Sequence, residues 1–215
     1  AYVRYAPGTK TQFTLGRQRL QWDNQRFFGN VGWRQNEQTF DALDIQHSFG
    51  NGTRLRYGYL DRAQRINGAD NPNEDLARYR LNTHLLGVGP ARGPGSLSGY
   101  AHFIENETLP LSSHRNLGLR YTAKKDVPDG IGWLISAEYA KQDSYADGAD
   151  KIDADYFLLE GGLVWKASTF KAGWEQLGGD GSYGFATPLA TLHAFNGWAD
   201  KFLTTPVNGL NDAYL

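Results

Sequence analysis

The sequence predicts an all-β protein: one antiparallel, up-and-down β-barrel domain of the transmembrane kind. Three observations predict it. Apolar and polar residues alternate with period two in segment after segment, as strands with one greasy and one polar face require. The connections between these segments alternate strictly between short and long, the rhythm of hairpins that cross and recross a membrane. Among 215 residues there are also 26 Gly, 12 Tyr, 11 Phe and 6 Trp, which suits tight turns, strands and aromatic girdles better than helix bundles.

A partial strand is expected over residues 1–5, and a full one between the short link 6–10 and the long connection 20–39. In 41–49 the apolar set is Leu43, Ile45 and Phe49, with Asp44, Gln46 and Ser48 between. Residues 54–60 put Leu55, Tyr57 and Tyr59 on one face and Arg54, Arg56 and Gly58 on the other. Residues 78–86 set Tyr79, Leu81, Thr83 and Leu85 against Arg78, Arg80, Asn82 and His84. Residues 97–104 alternate less cleanly and are assigned a strand by their position. Leu117, Leu119 and Tyr121 then oppose Arg120, Thr122 and Lys124, and Trp133, Ile135, Ala137 and Tyr139 oppose Ser136 and Glu138. Phe157, Leu159, Leu163 and Trp165 follow; after a very short link, Phe170, Ala172 and Trp174 oppose Lys171, Gly173 and Glu175. A last partial strand covers 210–215. Many of these segments run about 9 to 12 residues, close to what a tilted strand needs to cross hydrocarbon.

Short links fall at 6–10, 50–52, 87–95, 125–132 and 167–168, and long ones at 20–39, 64–76, 107–114, 144–153 and 178–209. Gly50-Asn51-Gly52 supplies positive-φ residues for a tight hairpin, and Pro128-Asp129-Gly130 and Pro90/Pro94 among glycines punctuate two more. That makes nine full strands and a partial one at each end. The end pieces are too short to close a barrel on themselves, and open edges do not persist in lipid. The chain is therefore expected to be truncated at both ends, about ten strands of a larger barrel.

Composition removes several other classes. Net charge is −1 and the isoelectric point near 6.6, so there is no global basic field for nucleic acid. Without Cys there is no disulfide framework, zinc–thiolate cluster or thiol nucleophile. Mean hydropathy is −0.56 and no stretch approaches the roughly 18 apolar residues of a membrane helix. No nucleophile elbow, P-loop, dinucleotide fingerprint or zincin motif occurs, so neither enzymatic activity nor a cofactor is expected. His47, His84, His102, His114 and His193 show no metal spacing, and no metal site is expected. Asp143, Asp147, Asp150, Asp153 and Asp155 suit a solvated outer loop; calcium bridging there stays open. The competing architecture is a soluble secreted β-sandwich that binds carbohydrate through exposed Trp and Tyr.

Two long blocks carry a resemblance. One is Leu15-Gly16-Arg17-Gln18, continuing into Gln25-Arg26-Phe27-Phe28-Gly29-Asn30-Val31-Gly32-Trp33-Arg34-Gln35-Asn36-Glu37-Gln38-Thr39-Phe40-Asp41-Ala42. The other is Phe185-Ala186-Thr187-Pro188-Leu189-Ala190-Thr191-Leu192-His193-Ala194-Phe195-Asn196-Gly197-Trp198-Ala199-Asp200-Lys201-Phe202. Both resemble the alginate export family of outer-membrane barrels, whose members are about twice this length. The resemblance implies a barrel of roughly 16 to 18 strands in the bacterial outer membrane. It also implies passage of an anionic polyuronate or related solute through a positively charged lumen, with outer-membrane lipid around the wall. Periplasmic partners stay unidentified, and a general diffusion porin is the alternative within the barrel class.

If the aromatic and aliphatic faces meet lipid, the opposite faces line the pore. That set contains Arg54, Arg56, Arg78, Arg80, His84, Arg120, Lys124, Lys166 and Lys171, against the fewer acids Asp44, Glu138, Glu160 and Glu175. Excess guanidinium attracts carboxylates and pairs with them bidentately, and rings of Arg or Lys select anions. The competing reading is a wall braced by Arg–Glu pairs. Arg17, Arg19, Arg26 and Arg34 fall on or beside the long 20–39 loop. They are expected at the mouth, either as a constriction or pinning the loop to the wall. The 178–209 loop, with Leu189, Leu192, Phe195, Trp198 and Phe202, is expected to be ordered, folding into the pore or packing on its rim.

Overall fold

The computed structural model describes residues 1–90, 95–195 and 199–215. Of the expected link at 87–95, residues 87–90 and 95 are strand instead, while 91–94, like Trp198, lie outside the described residues. Eleven strands form one sheet in strict sequence order, each antiparallel to its chain neighbours. They are β1 (Tyr2–Tyr5), β2 (Thr11–Gln18), β3 (Thr39–Ser48), β4 (Thr53–Gln64), β5 (Arg78–Pro90) and β6 (Gly95–Asn106), then β7 (His114–Lys125), β8 (Ile131–Ser144), β9 (Asp153–Trp165), β10 (Ser168–Leu177) and β11 (Leu210–Tyr214). Among the described residues, helix is confined to the short turns Glu74–Ala77, Pro110–Ser112 and Leu192–Ala194. A single meander in this order rules out the sandwich, which needs two packed sheets. The sheet is open: β1 and β11 are its two edges.

The turns follow their residues. Gly52 holds φ +85° while the Asn51 side chain accepts from the Thr53 amide at 3.0 Å, closing the β3–β4 hairpin as an Asx turn. Asp129 between β7 and β8 and Lys166 between β9 and β10 also take positive φ.

The two faces of the sheet differ in what covers them. Val3, Leu15, Leu55, Leu86, Val88, Leu97, Leu119, Ile135, Leu159, Leu163, Phe170 and Trp174 stand exposed on the outer face. So large an uncovered apolar surface has no place in water and suits hydrocarbon. On the inner face, the chain between β2 and β3 and the chain between β10 and β11 both fold over the strands. Trp22, Phe27, Phe28, Phe185 and Leu189 from these loops pack on Phe40, Leu60, Leu81, Leu85, Tyr100, Ile104, Tyr156 and Leu177 of the wall. The core thus lies inside the curve of the sheet, between wall and loops.

Close approach sets two details. Tyr100 lies flat across β7 because residue 118 is Gly: a Cβ there would stand 2.2 Å from the Tyr100 ring. The Trp22 indole rests over Gly58 and Gly87, where a Cβ would come within 3.3 and 3.1 Å of it.

Candidate functional site: the lumen wall beneath the inward loops

Alternation along each strand decides which side chains face the lumen. Arg54, Arg56, Gly58 and Leu60 of β4 point inward, as do Asp44 of β3, Gly87 and Gly89 of β5, Ser96, Ser98 and Tyr100 of β6, and Arg120 and Thr122 of β7. Below the loop, Arg54, Arg56, Tyr100, Arg120 and the small residues between them on β5 and β6 bound a recess of about 360 Å³, closed above by Trp22, Asp23 and Asn24.

Three arginines enter this recess in different states. Arg56 donates to Asp44 Oδ1 from Nε at 2.8 Å and to the Gln21 carbonyl at 2.8 Å, and its guanidinium lies 4.3 Å from the centre of the Trp22 ring. It is held on three sides. Arg120 is paired with Glu138, whose other oxygen accepts from the Tyr100 hydroxyl at 2.7 Å. Arg54 forms no ion pair among the described residues, so its charge faces the recess unanswered. Asp23 meets the water of the recess yet is walled in by protein. Burial raises its pKa, and the charges of Arg120 and Arg56 oppose that rise.

The loop above is fastened by polar contacts as well as by its aromatic trio. Arg26 is fully buried and donates to Glu175 of β10 from Nε and Nη2 at 2.7 and 3.3 Å, and to Thr187 at 3.3 Å. Tyr156 donates to the same carboxylate at 2.7 Å. Buried Gln38 donates to the carbonyls of Gly29 and Leu189 at 2.8 and 2.9 Å and accepts from Arg65. Gly29 N–H donates to Leu189 at 3.0 Å, and Thr191 N–H to Gln25 at 3.1 Å. The 20–39 and 178–209 segments therefore dock on each other inside the wall.

Several sequence expectations need correction. Arg78, Arg80 and His84 face outward. Arg80 pairs with Glu107 at 2.9 Å and Arg78 with Glu74 at 3.5 Å, while His84 shares a hydrogen bond with the Tyr57 hydroxyl at 2.8 Å. The cause is the inward loop: it gives the upper lumen an apolar lining, so Leu81, Thr83 and Leu85 point inward and their polar neighbours outward. Lower on β5 the pattern changes sides, and Leu86 and Val88 are the outward pair. The Leu85-Leu86 doublet is the sequence signal for that change.

Arg17 and Arg19 stand on the exterior, each in a two-bond pair, with Asp41 at 2.8 and 2.9 Å and with Glu37 at 2.6 and 2.8 Å. Arg34 lies over the Trp33 ring at 4.4 Å and 3.7 Å from Asp200. Of that group only Arg26 enters the interior. Lys124 follows the inner phase but pairs with Asp126 at 2.9 Å near the short turn. Lys171 pairs with Glu160 at 3.1 Å, and Lys166 sits over Trp165 at the hairpin. On the exterior, Asp143 pairs with Arg115, and Asp153 and Asp155 with Lys141. Sequence reasoning missed Trp22, Asp23 and Gln38, because a loop residue carries no alternation to show its side.

No protein-family profile matches the chain, and no curated protein sequence matches it. Solved structures do. OpdL of Pseudomonas aeruginosa superposes with a TM-score of 0.67 at 18% identity, over 92% of this chain and 54% of that one. The outer membrane protein OpdK of the same organism gives 0.66 at 15%, over 88% and 51%, and OccAB4 of Acinetobacter baumannii 0.63 at 14%, over 82% and 44%. The chain spans about half the length of these structures. The fold is that of part of the up-and-down β-barrel wall of these outer-membrane proteins.

Proposed function

We propose that this chain forms part of an outer-membrane channel for small anions, anionic saccharides among them, drawn through the lumen by the inner-face arginines. The observation that carries this reading is Arg54, an inward guanidinium without a carboxylate partner among the described residues, beside Arg56 and Arg120 in one recess. A free guanidinium in a confined aqueous space attracts carboxylates and releases them, as passage requires. Polyuronate as the particular cargo rests on the alginate-export resemblance of the two docked loops, and export on that alone.

A second reading has its own observation. Arg56–Asp44 and Arg120–Glu138 are complete pairs, the pattern of a braced wall in a general diffusion porin. Reversal potentials across a salt gradient, recorded on the intact barrel, separate the two. Anion preference that falls in Arg54→Gln and persists in Arg56→Gln supports the first; a preference unchanged by Arg54→Gln rejects it.

A further inference from the structure

Two buried histidines lie in the wall, and one of them, His102, stands directly behind the inward loop. His102 of β6 and His114 of β7 both point inward and are diagonal neighbours, since His102 pairs with Asn116 and His114 with Ile104. Neither reaches solvent, at 0% and 1% exposure. His114 Nδ1 lies 2.8 Å from the Ser112 carbonyl; a carbonyl only accepts, so Nδ1 carries the proton and Nε2 is a bare lone pair. That Nε2 and both ring nitrogens of His102 have no hydrogen-bond partner among the described residues.

Aromatic rings enclose His102: Tyr100 stacked at 4.7 Å, Phe28 edge-on at 5.0 Å, Phe27 at 5.7 Å and Trp22 at 6.1 Å. Three of these four come from the loop. A buried polar ring without partners is costly, and an imidazolium there would cost far more.

Counter-ions are not at hand. On β8, Glu138 is committed to Arg120 of β7 and Tyr100 of β6. On β10, Glu175 is committed to Arg26 of the loop and Tyr156 of β9. β5 presents Leu81, Thr83 and Leu85. Asp23, next to Trp22 in the loop, has no ion pair among the described residues, and its raised pKa removes its charge early as pH falls.

We propose that His102 and His114 form a proton-sensitive latch, whose protonation frees the 19–38 loop from the wall so that it closes the lumen. The unprotonated pair completes the apolar shell and holds the loop; the protonated pair needs water, which reaches it only if Phe27, Phe28 and Trp22 lift away. Both loop ends stay fixed in β2 and β3, so the freed segment has the lumen to move into. The inference requires a conducting barrel and holds whether or not that barrel selects anions. A competing acid-labile contact is set apart by its range. Ser182 and the Ser182 and Tyr183 amides hold the Asp180 carboxyl down at about 2. A depressed carboxylate stabilises above its unfolded value and loses this only as pH falls through the folded one, so the Asp180 turn stays intact at mild acidity.

The test is single-channel recording of the intact barrel at about pH 7 and about pH 4.5, on either side of the range in which a hydrated His titrates. Wild type is expected to lose open time by about tenfold at the acid value, and His102→Leu and the His102→Leu/His114→Gln pair to stay open. An acid response retained in both variants, or abolished instead by Asp23→Asn alone, overturns the latch. A second measurement does not depend on replacing the histidines. The chain has no Cys of its own, so Leu85→Cys places one thiol under the loop. A pyridyl disulfide, which reacts with thiols in acid, is expected to label it faster at acid pH. Labelling that does not accelerate also overturns the proposal.

Discussion

Arg26 shows how a single residue sets the geometry of this lumen. Its guanidinium bonds Glu175 and Thr187 and lies 4.9 Å from the Phe195 ring and 5.9 Å from the Tyr156 ring. Its removal leaves Glu175 charged, buried and short of its main partner, a loss of roughly 3–5 kcal/mol for such pairs. Arg26→Ala is therefore expected to undock the loop while leaving the strands paired. Limited proteolysis checks this: cleavage within 19–38 should appear in the variant, with heat-modifiable gel mobility unchanged. Cleavage equal to wild type would mean that the aromatic trio alone fixes the loop. The sequence marked Arg26 as a residue of the mouth, but its partner lies 149 positions away, and no local pattern names a partner at that distance.

The strands themselves were legible, for a physical reason. Period-two alternation is a local property, and the turn residues punctuate it, so nine full strands and two partial ones stand where residue pattern and Gly, Asn and Pro placed them. Facing was less legible. Alternation divides a strand into two faces without saying which is inside, and the assumption that greasy means lipid fails wherever a loop makes the lumen greasy. β5 is the test of this. With single cysteines placed in this chain, which has none of its own, Leu81→Cys should resist a water-soluble thiol reagent until the loop is removed, and Arg80→Cys should react at once from outside. Equal reactivity at both positions would refute the facing assigned here. β4 shows the opposite case: below the loop Arg54 and Arg56 face the recess, as the simple rule expects.

At the scale of the molecule, the outer apolar face and the inner polar recess require two solvents at once, and only a membrane barrel supplies both. The native protein is expected to fractionate with the membrane and to shift in gel mobility on boiling. A soluble species with no shift would contradict the fold. The contacts between the 19–38 and 178–209 segments have one more consequence, and it concerns time. Arg26 bonds Thr187 across 161 positions and Gln38 bonds Leu189 across 151, whereas most wall pairs join strands adjacent in the chain. Contacts of such long separation form late, after the entropy of bringing their ends together has been met. The first inward segment therefore waits, without its partner, while the eight strands β3 to β10 assemble after it. These strands pair before the two inward segments dock, and the curve they form stands empty before it is filled.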